Sequence, residues 1–143
     1  MAKITPRIQH PDVASEYERF PTHIRTKLLV IRKLIFDVAA SIPEVGAIEE
    51  TLKWGEPSHL TSASKSGSTI RLAWKANQPN QFGIYFNCKT TIVEPIKSLY
   101  GNALTYEKNR AVIFADNDES PIAILEHCIG IALIYHLKKA PLK

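Results

Sequence analysis

The chain has 143 residues, 45% of them hydrophobic and 22% charged, with a formal net charge of +4. That length suits a single domain, which buries roughly 70% of its unfolded surface and does not depend on disulfides. Two cysteines without a CxxC pair, no apolar run after Met1-Ala2-Lys3, and no apolar stretch near the roughly 20 residues of a membrane span argue against a disulfide scaffold, a signal peptide and a spanning helix, and lead us to expect a cytoplasmic location.

Residues 1–10 carry no usable period and are expected to trail flexibly in solvent, leaving 11–143 as one domain. The spacing of Val13, Tyr17 and Phe20 predicts a short helix over 12–20, with Asp12 as its cap and Pro21 as its stop. A long helix follows over 22–41. Ile24, Leu28, Ile31, Ile35, Val38, Ala39 and Ile42 fall on one face, while His23, Arg25, Lys27, Arg32 and Lys33 lie mostly off it.

The period then changes from 3.6 to 2. Ile48, Leu52 and Trp54 alternate with Thr51 and Lys53, and the run ends in a turn at Trp54-Gly55-Glu56-Pro57. The serine-rich segment 61–68 reads as a turn or flexible loop. Strands follow over 69–75 and 82–88. A short helix over 91–100 places Pro95 awkwardly and is stopped by Gly101. A hairpin about Lys108-Asn109 joins strands 104–107 and 110–115. Ser120 and Pro121 open a last helix, with a stripe of Ile122, Leu125, Cys128, Ile129, Ala132, Leu133 and His136. Ile124, Ile131, Ile134 and Tyr135 add apolar area beyond that stripe. Such a helix is either wedged between layers or helps form a homodimer.

Strands flanked by helices imply an α+β fold: an antiparallel sheet of about five strands, covered on one face by the N-terminal and C-terminal helices. By strand parity, Leu52, Trp54, Ile70, Leu72, Trp74, Ile84 and Phe86 face the helices. Thr51, Lys53, Arg71, Lys75, Tyr85 and Asn87 face outward.

Five segments in order carry a family resemblance: 50–57 with its Trp-Gly-x-Pro pattern, 67–75, 85–90, 109–114 and 131–136. Together they resemble the YdhG-like domain family, whose function is unknown. The resemblance implies a compact α+β domain with an antiparallel sheet between helices. Some members look like frataxin and are named iron chaperones, so iron is the cofactor the resemblance suggests. It brings no catalytic residue set. The acidic ridge of frataxin-type iron binding is not matched, because the long helix carries Asp37 as its lone carboxylate.

The residues offer a functional and a plainer reading at each point. Glu50 shares parity with Leu52 and Trp54, so it is either a ligand or metal anchor at the sheet rim or a structural ion pair with a helix Arg or Lys. Trp54 and Pro57 form either a pocket wall or a strand end with a core Trp. Lys53, Arg71, Lys75, Tyr85 and Asn87 form either a ligand-binding patch or an ordinary solvated face. Glu49, Glu50, Glu56 and His59 are the nearest hard donors for a metal. Cys88, His127, Cys128 and His136 have zinc-ligand chemistry but core-packing positions. Residues 116–119 lack the Gly and Glu of a calcium loop.

GxSxG, Walker A, HExxH and Gly-rich dinucleotide signatures are absent, which leans away from an enzyme. The expected function is a non-catalytic binding domain that holds a small anionic ligand or a protein partner on the open sheet face. The alternatives are a frataxin-like iron chaperone and, last, a nucleic-acid-binding module, since the cations are scattered.

Overall fold

The computed structural model describes residues 6–87, 89–117 and 121–138. Helix α1 (Pro11–Arg19) begins with proline, whose missing N–H is harmless in a first turn. His10 rather than Asp12 is its cap: the imidazole Nδ1 accepts from the Asp12 N–H at 3.2 Å. Helix α2 (Thr22–Ser41) reaches back to the end of α1. The Arg25 guanidinium donates to the carbonyls of Tyr17, Glu18 and Phe20 at 2.8, 3.0 and 3.1 Å, which satisfies oxygens a helix end leaves open. The expected stripe of α2 is buried at Ile24, Leu28, Ile31, Ile35 and Ala39. Arg32, read as off the stripe, is also buried.

Among the described residues the sheet has six antiparallel strands rather than about five. They are β1 (Glu49–Lys53), β2 (Glu56–Leu60), β3 (Ile70–Ala73), β4 (Gln81–Phe86), β5 (Thr105–Glu107) and β6 (Ala111–Ala115), in the order β1-β2-β3-β4-β6-β5. The unanticipated strand is β2. Trp54 and Gly55 both adopt positive φ, 57° and 75°, and form a two-residue turn that pairs Lys53 with Glu56. In such a hairpin the closing pair exchanges the hydrogen bonds, so Pro57 faces away from β1. On that side the β2–β3 ladder ends at the Ser58–Arg71 pair, and the proline's missing N–H breaks no bond.

Helix α3 (Val93–Tyr100) stops at Gly101, as anticipated, and starts two residues later than expected, which puts Pro95 in its first turn and removes the awkwardness. The β5–β6 turn places its positive φ at Lys108 rather than Asn109. Helix α4 (Ile122–Leu133) breaks at Ile134 before a single further turn, α5 (Tyr135–Lys138). The cause is the segment at 61–68, which is not a free linker. Ser68 N–H donates to the Ala132 carbonyl, and Ser66 Oγ to that of Leu133. His136 N–H returns a bond to the Ser66 carbonyl. His136 is therefore exposed instead of continuing the core stripe.

The helices cover one face of the sheet. Ile70, Leu72, Ile84 and Phe86 are buried there with Ile24, Leu28, Ile35, Ile129 and Leu133. Leu52 and Trp74 pack at the edge of that core, Trp74 edge-on against Phe20. Cys128 is a buried free thiol, and burial pushes its pKa up to about 11. Ile124, Ile131 and Ile134 are half-buried against the core, so α4 leaves less apolar surface bare than its composition suggests. No helix among the described residues is long and apolar enough to cross a membrane. The calls on Cys88, Asp118, Glu119 and the Ser120 cap fall outside the described residues.

Candidate anion-binding face of the sheet

Strand pairing builds the outer face in register. Thr51 opposes Ser58, Ser58 opposes Arg71, Arg71 opposes Tyr85, Tyr85 opposes Ala111 and Ala111 opposes Glu107. One row therefore crosses all six strands, and its centre is a second small apolar cluster of Ala73, Tyr85, Ala111 and Ile113. Tyr85 lies on the expected side but is only 5% exposed. The Arg71 guanidinium and the Lys75 ammonium stand over its ring at 5.6 and 5.1 Å. Its hydroxyl donates to Glu107 at 3.1 Å. Burial, then the Glu107 and Glu56 carboxylates, push the phenol up to about 12. Tyr85 is thus a support for the cations and not itself a surface for a ligand.

Beside this row lies a groove of about 630 Å³ lined by Lys53, Trp54, Leu60, Thr69, Arg71, Asn87 and Arg110. That volume is within the range of small-molecule sites. Arg71 donates through Nη1 to Glu56 at 2.5 Å, which leaves Nε and Nη2 without a protein partner among the described residues. Arg110 stands 4.0 Å from Glu107, a loose pair. Lys53 makes no ion pair among the described residues. Among the described residues, four cations (Lys53, Arg71, Lys75 and Arg110) share this side with three carboxylates, Glu49, Glu56 and Glu107, and Glu49 and Glu56 are engaged by Ser62 and Arg71, so the local field favours an anion.

Of the eight residues expected to bind a ligand, Lys53, Trp54, Arg71 and Asn87 meet in the groove. Lys75 and Tyr85 flank it. Trp54 corrects its own parity: it is 86% exposed at the turn, not packed under the helices. The positive φ at 54 swings its side chain out of the strand alternation. Pro57 is buried, opposite Leu52 on the helix side, and is no part of the rim. Leu60, Thr69 and Arg110 join unforeseen as site residues. Thr69 had the right parity, whereas Leu60 belongs to the unread strand and Arg110 arrives through the non-local β4–β6 pairing.

Glu50 is the structural ion pair of the two readings. It lies on the helix side opposite His59. Arg32 grips it with Nε at 2.6 Å and Nη2 at 2.9 Å, and His59 Nε2 donates to it at 3.0 Å. Phe36 closes the group, with Arg32 over its ring and His59 edge-on to it. Burial would raise the Glu50 carboxyl. The Arg32 and His59 hydrogen bonds and charges outweigh that and bring it down to about 2.

The four hard donors suggested for a metal do not converge. Glu50 and His59 are sealed under the helices, Glu56 engages Arg71 on the opposite face, and the Glu49 carboxylate accepts from Ser62. Among the described residues no three His, Cys, Asp or Glu side chains gather as a metal would require. His127 instead meets the Tyr100 hydroxyl at 2.5 Å, away from the buried Cys128 thiol.

Compared with family models, with curated proteins and with solved structures, the chain matches none.

Proposed function

We propose that this protein is a non-catalytic binding domain that holds a small anion on the open face of its sheet. The observation that carries the reading is the groove itself. It gathers Lys53 and Arg110 with the two Arg71 nitrogens that have no protein partner among the described residues, and Tyr85 beside it supports the Arg71 guanidinium. Guanidinium groups with free N–H pairs suit carboxylate or phosphate oxygens, which they bind in a fork. The Thr69 hydroxyl and the Asn87 amide N–H groups add neutral donors. Asn87 Oδ1 accepts from the Lys89 N–H, which orients the amide.

Kinship with the YdhG-like family and a cytoplasmic setting belong to the same proposal. They are supported by the motif order along the chain and by its two unpaired-in-sequence cysteines. The helix-flanked antiparallel sheet is also the layout that kinship implies.

The test is a two-dimensional amide NMR titration of the full chain with inorganic phosphate. Saturable shifts confined to 53–55, 69–71, 87 and 110 are expected. An absence of shifts there, or shifts spread evenly over exposed amides, would remove the reading.

A further inference from the structure

We propose, resting on the anion reading above, that the groove's ligand joins a planar aromatic ring to its anion, as a free mononucleotide does. The argument starts at Trp54. A tryptophan at the first position of a two-residue turn, with φ of 57°, occupies a conformation that Asn, Asp or Gly adopts at far lower cost. It gains no burial in return, since it is 86% exposed. A large apolar ring held in a strained turn and open to water serves nothing in the fold. Such strain persists at sites where the side chain is used. The same indole lines the groove whose other walls are Lys53, Arg71 and Arg110.

The two halves complement each other chemically. An indole face accepts a flat ring by stacking, which is worth about a tenfold gain or more per base and is tolerant of base identity. The guanidinium and ammonium groups take the phosphate. Leu60 supplies an apolar contact between them, and Thr69 and Asn87 offer a hydroxyl and an amide to sugar or ring-edge atoms. A simple inorganic anion would leave Trp54 and Leu60 without a role. A neutral aromatic ligand would leave the cations facing empty solvent.

The experiment uses the full chain and reads both the indole N–H resonance of Trp54 and the groove amides. The probes are inorganic phosphate, ribose 5-phosphate, adenosine and AMP. AMP should bind at least tenfold more tightly than ribose 5-phosphate and than adenosine, with a ring-current shift at Trp54. Trp54→Asn should bring AMP to within about twofold of ribose 5-phosphate, and Trp54→Phe should retain part of the gain. Equal affinity for AMP and ribose 5-phosphate would overturn the aromatic inference and leave the anion reading standing. Failure of all the phosphates to perturb the groove would remove both. A single-stranded oligoadenylate that binds more than tenfold tighter than AMP would overturn the free-nucleotide form, because the groove would then be one station on a strand.

Discussion

At the residue scale, the account turns on two side chains in opposite situations. Trp54 is exposed and strained, so Trp54→Asn is expected to stabilise the protein by about 1 kcal/mol, or roughly 3 °C in melting temperature for a chain of this size. Thermal denaturation checks it, and a fall in melting temperature would show that the indole supports the fold after all. Glu50 is sealed and paired. Glu50→Gln leaves Arg32 buried without a counter-charge, and a loss of about 3 kcal/mol is expected from urea denaturation. The same carboxyl carries a pH dependence. Its pKa is about 2 when folded against 4.5 for the free group, so as pH falls the unfolded chain takes up the proton first. The contribution is full above about 4.5 and is lost as pH drops toward 2, about 2 kcal/mol after allowance for solvent screening. Glu50→Gln should flatten the acid limb of the stability profile. An acid limb unchanged in the variant would assign it to other carboxylates.

At the element scale, the joints between secondary structures carry more information than the structures themselves. The loop over 61–68 ends α4 by supplying Ser66 and Ser68 to its last carbonyls. Gly67 sits so close that an added Cβ would collide with the Leu133 carbonyl. Gly67→Ala should therefore destabilise by about 3 kcal/mol through overpacking, and Ser66→Ala by about 1 kcal/mol. Hydrogen exchange would locate the damage at α5 and the end of α4, and protection unaltered there would contradict the joint. The stripe of α2, that of α4 from Leu125 to Leu133, and the alternation of β3 and β4 were legible because burial on one side imposes a period, whereas Ile122, expected on the α4 stripe, is exposed in its first turn. Strand β2 was not, because Pro57 reads as a stop unless one knows that the neighbouring ladder ends beside it. The break at Ile134 was equally hidden, since its cause is hydrogen bonding from residues more than sixty positions away.

At the scale of the whole molecule, a sheet roofed on one side divides the charged residues by function. Those facing the helices are paired, with Arg32 and His59 both held on Glu50. Those facing outward hold more cations than carboxylates. The patch at Lys53, Arg71 and Asn87 was legible from strand parity alone, since register carries alternation across the sheet. Its depth was not. Tyr85 looked like a contact residue because parity tells the side and not the exposure, and only the cluster with Ala73, Ala111 and Ile113 buries it. Arg110 could not be foreseen, because β6 reaches β4 across α3 and β5. The central claim is that these cations form one anion site, and the affinity for inorganic phosphate compares it directly between the native chain and Lys53→Gln/Arg71→Gln. The account expects at least tenfold weaker binding in the double variant, 1.4 kcal/mol or more, with the melting temperature nearly unchanged. Equal phosphate affinity in the two proteins would contradict it.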